Sequence, residues 1–151
     1  MNVTATLDLP CLCANLRRAS RALTQLYEEA LRPLGVRASQ FTILQLLALA
    51  GEMTQGEMGQ ILVMDSTTLT RTLAIMSRHG WITRRRGKDR REWWIQLSNT
   101  GRTQFERALP HWQNVQERLK KKLGRRHWNE LMLSSNDLTR TVTQQGRSAR
   151  V

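Results

Sequence analysis

Apolar residues recur at spacings of three and four along most of the chain, which is the pattern of amphipathic helices. The first such stretch begins near Pro10 and ends at Gly35, and the second, with Ser39 as its predicted N-cap, ends at Gly51. Two longer helical patterns follow position 98. The pattern therefore predicts a mainly α-helical protein with long helices at both ends of the chain.

Two short helical patterns occupy the centre of the sequence. Thr54 is followed three residues later by Glu57, a capping-box spacing that predicts a helix through about Leu62. Asp65 is the predicted N-cap of the next helix, and Gly80 is its predicted stop. The residues of this helix expected to face the core are Leu69, Leu73 and Met76. Two short helices joined by a tight connection predict a helix-turn-helix.

The hydrophobic period changes after Gly80. Trp81–Arg86 and Glu92–Leu97 have the composition and alternation of strands, and the connection Gly-Lys-Asp-Arg-Arg supplies a turn between them. A β-hairpin that follows a helix-turn-helix is a wing. The predicted fold class is therefore mainly α with a small β-hairpin wing: a winged helix-turn-helix whose N- and C-terminal helices form a dimerisation region.

The terminal helical stripes are too long for the central module to cover. We predict three parts: residues 1–36 as an arm and first dimerisation helix, 37–100 as the winged DNA-binding module, and 101–151 as C-terminal dimerisation helices. Two copies that pack their terminal helices together would bury these stripes, so a homodimer is expected. A twofold dimer of such modules reads a palindromic site.

The charge of the chain indicates the class of partner. The formal net charge is +12 and the pI is about 11.4, which favours double-stranded DNA first and an anionic membrane surface second. Residues 66–91 contain eight basic residues and one acid, a net charge of +7. No apolar run approaches the roughly 20 residues of a membrane span, and the first residues do not read as a signal peptide. The expected location is the cytoplasm, with no membrane partner.

Catalytic chemistry has little support in the sequence. His79, His111 and His127 are isolated from one another and show no metal-ligand spacing. There is no glycine-rich phosphate loop and no nucleophile motif. We therefore expect no enzyme activity, no catalytic residue, no metal and no cofactor.

Four segments together resemble the MarR family of bacterial winged-helix regulators: TQGEMGQIL, DSTTLTRTLAIMSRHGWI, DRR and LSNTGR. The resemblance covers roughly residues 10–145 and is strongest over 40–102. It implies a dimer that occupies operators and that is often released by a small phenolic or other anionic ligand, or by oxidation of a cysteine. The interpretation is a homodimeric repressor of a palindromic operator, released by a small-molecule inducer.

The resemblance also implies which residues meet DNA. These are Thr54, Gln55, Ser66, Thr67, Thr68, Thr70, Arg71, Arg84, Arg86, Lys88, Asp89, Arg90 and Arg91. Short hydroxyl side chains and one arginine on a helix face can approach base edges and phosphates closely. Asp89, two residues before Arg91, can hold the Arg91 guanidinium in one rotamer through a charge-assisted hydrogen bond. Arg91 would then enter the minor groove preorganised.

Cys11 and Cys13 leave an alternative open. The string CANLRRASR resembles a MarR subgroup that senses organic peroxides through a cysteine at the start of its first helix, where a thiol pKa is lowered. The subgroup's partner tyrosine is replaced here by Arg17. One alternative function is therefore a thiol-based oxidative sensor using Cys11 or Cys13. Otherwise one cysteine packs as a small apolar residue and the other is incidental. A second alternative is a weakly specific architectural protein that coats DNA.

Overall fold

The computed structural model describes the backbone of residues 10–89 and 91–148 and the side chains of that range up to residue 144. Its elements in chain order are α1 (Leu12–Leu31), α2 (Ala38–Ala50), β1 (Met53–Thr54), α3 (Gln55–Leu62), α4 (Ser66–Arg78), β2 (Ile82–Arg86), β3 (Trp93–Leu97), α5 (Asn99–Leu123) and α6 (Arg125–Ser148). The predicted fold class, a mainly α winged helix-turn-helix, is confirmed.

The two helices of the helix-turn-helix begin as predicted. The Thr54 hydroxyl accepts a hydrogen bond from the Glu57 amide at 3.1 Å, and the Glu57 carboxylate accepts from the Thr54 amide at 2.8 Å. At the start of α4 the Asp65 carboxylate accepts from the Thr68 amide at 2.8 Å. These three contacts give hydrogen-bond acceptors to the backbone amides of Thr54, Glu57 and Thr68. Amides at a helix N-terminus have no carbonyl partner within the helix, so such contacts stabilise its start. The connection between the helices contains Val63 in a left-handed conformation.

The start of α2 differs from the prediction. The N-cap is Arg37 rather than Ser39, which lies inside the first turn. The Arg37 amide donates to the Gln40 side chain at 2.9 Å, and the Ala38 amide donates to the Glu28 carboxylate of α1, also at 2.9 Å. The prediction of Ser39 as the cap is wrong because an acid from the preceding helix supplies the acceptor.

The wing belongs to a sheet of three antiparallel strands in the order β1-β3-β2. Arg84 lies opposite Ile95 and Arg86 opposite Trp93 in the β2–β3 pair. The third strand, β1, was not expected from the sequence, and it pairs Met53 with Ile95. This pairing joins the segment that leads into α3 directly to the wing.

A core of buried side chains lies beneath the helix-turn-helix and the sheet. Leu69, Leu73 and Met76 of α4 are buried as predicted. Phe41 of α2 stacks on Phe105 and on Trp112 of α5, with ring centroids 5.7 and 5.8 Å apart. The first part of α5 is thus packed against the same core as α4.

A junction of hydrogen bonds around Ser98 holds the base of the wing. The Ser98 amide donates to the Trp81 carbonyl at 3.1 Å, and the Ser98 hydroxyl donates to the Gly80 carbonyl. The same hydroxyl accepts from the Gly101 amide at 2.9 Å and so caps α5. One serine thereby connects the segment that follows α4, the start of β2 and the start of α5.

The chain divides into two compact units, residues 1–112 and 113–151. The first contains the helix-turn-helix and the wing. In the second, Lys120 lies over the ring of Trp128 at 5.6 Å and pairs with Glu117 at 2.9 Å. None of the helices in the described ranges is long and apolar enough to cross a membrane. The predicted boundaries after residues 36 and 100 separate parts with different functions rather than compact units. They stay a prediction.

Candidate nucleic-acid interface

The exposed face of α4 carries short polar and basic side chains. Leu69, Leu73 and Met76 face the core, so the opposite face is presented to solvent. The exposed residues along that face are Ser66, Thr67, Thr70, Arg71, Ala74 and Arg78. Arg78 was not expected at the interface, although its spacing of seven residues from Arg71 places both on one face. A helix with this face is suited to enter the major groove of DNA.

Two carboxylates stabilise the N-termini of α3 and α4. The backbone amide of Thr54, and then its hydroxyl, lower the pKa of Glu57. The Thr68 hydroxyl, and then its amide, lower the pKa of Asp65. Both groups are therefore ionised at neutral pH, which complements the positive ends of the helix dipoles. Because the Thr68 hydroxyl donates to Asp65 at 2.6 Å, only its oxygen lone pairs remain for DNA.

Gln55 connects three elements of the module. Its Nε2 donates to Thr70 Oγ1 of α4 at 2.8 Å, and its Oε1 accepts from Arg84 Nη2 of β2 at 3.3 Å. Gln55 itself is the first residue of α3. Helices α3 and α4 and the wing are thus joined through one side chain.

The three adjacent arginines of the wing are directed to different partners. Arg84 and Arg86 share one face of β2, and their guanidinium carbons lie 4.8 and 4.2 Å from the centroid of Trp93. Arg85, on the other face, lies 5.2 Å from Trp94 and pairs with Glu52. Arg84 is half-buried, and its Nε has no hydrogen-bond partner within the described part of the chain. Arg84 therefore holds the wing in place, whereas Arg86 remains exposed.

The wing tip is ordered by Asp89, but through the backbone rather than through a side-chain ion pair. Asp89 Oδ1 accepts a hydrogen bond from the Arg91 amide at 2.9 Å. The ion pairs found within residues 10–89 and 91–144 do not include Asp89 with the Arg91 guanidinium. The expected orientation of that guanidinium by Asp89 is therefore not seen. Lys88 and Arg91 are exposed at the tip, and Arg90 lies outside the described residues.

A groove brings the wing together with the starts of α3 and α4. It has a volume of about 560 Å³, and its lining includes Thr54, Gln55, Ser66, Arg91 and Trp93. Hydroxyl groups, the Arg91 cation, the Glu92 carboxylate and the N-terminal turn of α3 all border this space. Such a combination can bind a phosphate of a DNA backbone.

The two cysteines lie elsewhere in the fold. Cys11 is the N-cap of α1 and Cys13 lies in its first turn; both are free and exposed. Within the described ranges, no group of three or more His, Cys, Asp or Glu side chains is placed to hold a metal.

Known proteins resemble the chain in sequence and in structure. The model of the MarR family matches residues 36–93. The uncharacterised HTH-type transcriptional regulator YwoH of Bacillus subtilis (strain 168) is 32% identical over 95 residues, which are 63% of this chain and 69% of YwoH. The organic hydroperoxide resistance transcriptional regulator of the same strain is 36% identical over 99 residues, 65% of this chain and 67% of that protein.

The structural comparison agrees with the sequence comparison. The crystal structure of the M. tuberculosis transcriptional regulator MosR in complex with DNA superposes with a TM-score of 0.80 and 33% identity, over 89% of this chain and 97% of MosR. These relatives are transcriptional regulators and not enzymes. The winged helix-turn-helix and these likenesses lead to one conclusion: the chain belongs to the MarR family and is a DNA-binding transcriptional regulator.

Proposed function

We propose that the protein is a homodimeric repressor that occupies a palindromic operator in the cytoplasm and is released by a small-molecule inducer. The observation that carries the proposal is the exposed polar and basic face of α4 beside a cationic wing, within one compact unit. The MosR structure, which contains DNA, supports a DNA complex for this fold. The partners are double-stranded DNA, a second copy of the chain and a small anionic or phenolic ligand.

The proposed contacts follow from where each residue lies. Ser66, Thr67, Thr70 and Arg71 approach base edges in the major groove, since they lie on the exposed face of α4. Lys88 and Arg91, which are exposed at the tip of the wing, meet the backbone or the minor groove. The phosphate next to the groove described above would meet the Arg91 guanidinium, because both donors of Thr54 are already bonded to the Glu57 carboxylate.

Assembly as a dimer accounts for apolar surface on the terminal helices. On α1, Leu12 is 62% exposed, and Leu16 and Leu23 are 42% and 43% exposed. On α6, Leu131, Met132, Leu133 and Val142 are all more than half exposed. Apolar surface of this kind marks an interaction site, and a second copy of the chain would cover it.

Selection of an operator from a random pool of duplex DNA tests the proposal. The enriched site should be a palindrome, and its affinity should exceed that of random DNA by about 1,000-fold or more at physiological salt. Equal affinity for the enriched and the random duplexes across several salt concentrations would instead identify an architectural DNA-coating protein. A panel of phenolic acids added to the operator complex then tests release by a ligand.

A separate prediction concerns Arg91 of the wing. Replacing Arg91 with alanine should weaken operator binding by about 1–3 kcal/mol, because it removes the exposed cation of the groove. Thermal unfolding should not change, since the side chain is exposed. Fluorescence anisotropy with labelled operator measures the affinity. Lys121→Ala, which removes one exposed charge from the second unit, is the matched control, and an equal effect of the two substitutions would contradict a specific role for the wing.

A second candidate function is a sensor of organic hydroperoxides. Two observations favour it: both thiols are free and exposed at the start of α1, and the 36% identical relative is named for organic hydroperoxide resistance. The Cys13 sulfur would attack the hydroperoxide and break its O–O bond, which leaves a sulfenic acid on Cys13 and releases an alcohol that takes up the thiol proton. The added polar group beside the apolar face of α1 would then disturb the dimer.

The sensor hypothesis predicts a response that depends on Cys13. A mild organic hydroperoxide should weaken operator binding of the wild type by about fivefold or more and should leave Cys13→Ser unaffected. Cys11→Ser is the control for the neighbouring thiol. If the wild type and Cys13→Ser respond alike, or if neither responds, Cys13 is not a sensor and the ligand-responsive repressor stands.

A further inference from the structure

We propose that Gln55 fixes the hydrogen-bond polarity of Thr70, so that the Thr70 hydroxyl acts on DNA as a donor. The inference rests on the proposed function, because it takes the exposed face of α4 as the face that meets DNA. It makes Gln55 a positioning residue and Thr70 a residue that determines specificity.

Arg84 determines the orientation of the Gln55 amide group. A guanidinium can only donate hydrogen bonds, so the atom of Gln55 that faces it at 3.3 Å must be the amide oxygen. Half-burial of the Arg84 side chain and its stacking on Trp93 at 4.8 Å keep this guanidinium in place. The orientation of the Gln55 amide group therefore follows from the requirement that Arg84 be given an acceptor.

The orientation of the Gln55 amide group determines the direction of its hydrogen bond with Thr70. With its oxygen toward Arg84, Gln55 presents its NH₂ group to Thr70 Oγ1, which accepts at 2.8 Å. The hydroxyl proton of Thr70 is then not used in this contact. Elsewhere in the helices a threonine hydroxyl donates to the carbonyl four residues earlier, as Thr72 donates to Thr68 at 3.0 Å. Over the described residues, no hydrogen bond from the Thr70 hydroxyl to such a carbonyl is found.

Thr70 therefore offers a proton from an exposed position on α4. On DNA the matching acceptors are purine N7, guanine O6 and thymine O4 in the major groove, or a phosphate oxygen. A donor left without an acceptor in a closed interface costs affinity. Sites that place an acceptor opposite Thr70 should accordingly be preferred over sites that offer no acceptor there.

The substitution Gln55→Glu reverses the polarity with little change in shape. A carboxylate has only acceptors, so one oxygen would keep the contact to Arg84 and the other would take the Thr70 proton. Thr70 would then present lone pairs to DNA in place of a proton. The added negative charge also weakens binding, and this second effect does not require the Thr70 hydroxyl.

A double-mutant cycle separates the two effects. Operator affinity is measured for the wild type, Q55E, T70V and the double variant, with thermal unfolding as a check of folding. We expect Q55E to lower affinity about tenfold more in the wild-type background than in the T70V background. In the T70S background, which keeps the hydroxyl, Q55E should lower affinity as much as it does in the wild-type background. Equal effects of Q55E in both backgrounds, or unchanged binding by T70V, would overturn the proposal.

Repeating the operator selection with T70V identifies the acceptor. A relaxed preference at one base pair of each half-site indicates a base edge. An unchanged preference with an equal loss of affinity on specific and random DNA indicates a phosphate, and both results support the donor role. If the wild type enriches no operator, the proposed function fails; the same cycle on random duplex DNA then still tests the donor role.

Discussion

Replacing Gly101 with alanine should destabilise the protein by about 3 kcal/mol or more, because the added methyl group has no space. A Cβ at this position would overlap the carbonyl oxygen of Trp81 and lie 2.7 Å from its carbonyl carbon. That carbonyl accepts the Ser98 amide, and Ser98 also caps α5, so the backbone cannot move away without losing these contacts. Urea unfolding followed by circular dichroism measures the effect.

Gly56→Ala is the matched control for this substitution. Gly56 also lies in the first part of a helix, but the nearest atom to an added Cβ is Thr54 Oγ1 at 4.0 Å. Alanine there should change stability by less than about 1 kcal/mol, and in the favourable direction. Similar unfolding midpoints for the two variants would show that the contact between α5 and the wing base is not as tight as described.

A double substitution on α1, Leu16→Glu with Leu23→Glu, should abolish the dimer and lower operator affinity by about 100-fold or more. The two side chains lie two turns apart on one helix, and both are partly exposed in the isolated chain. Burying two carboxylates in an apolar interface is strongly unfavourable, so the copies should separate. A single copy can then bind only one half-site. Light scattering coupled to size exclusion measures the mass, and anisotropy measures the affinity.

Leu49→Glu provides the comparison for the effect of charge alone. Leu49 is 81% exposed on α2, outside the terminal helices, so the dimer should survive this substitution. A variant with both α1 substitutions that still forms a dimer and binds the operator with wild-type affinity would refute the assignment of α1 to the interface.

The helix-turn-helix could be predicted because its signals are local. The Thr54–Glu57 box and the Asp65 cap each depend on residues three positions apart, and both are present in the structure. Leu69 and Leu73 are buried because the helical period places them on one face. The strands also begin within one residue of their predicted positions, at Ile82 and Trp93.

The remaining features depend on residues that are distant in sequence. A strand of two residues, β1, has no alternation to detect, and it exists because Met53 pairs with Ile95. Arg37 replaces Ser39 as the N-cap of α2 because Glu28, ten residues before Ala38, satisfies the Ala38 amide. Neither arrangement can be inferred from spacing within one element.

The contacts within the candidate site could not be predicted from the sequence for the same reason. Its residue types and its basic charge follow from the sequence, but the link from Gln55 to Thr70 and Arg84 spans 15 and 29 residues. The contact of Asp89 with the backbone amide of Arg91, in place of the guanidinium, is a choice between two acceptable partners. Only the conformation of the turn decides between them.

The junction at Ser98 also bears on how proteins of this fold can diversify. Because Ser98 joins Gly80, Trp81 and Gly101, the base of the wing is fixed independently of its tip. Positions 88–91 can therefore be lengthened, shortened or exchanged between relatives while the scaffold stays the same. Variation confined to this loop gives a lineage, or a protein engineer, a means to alter the reach of the wing without rebuilding the domain that carries it.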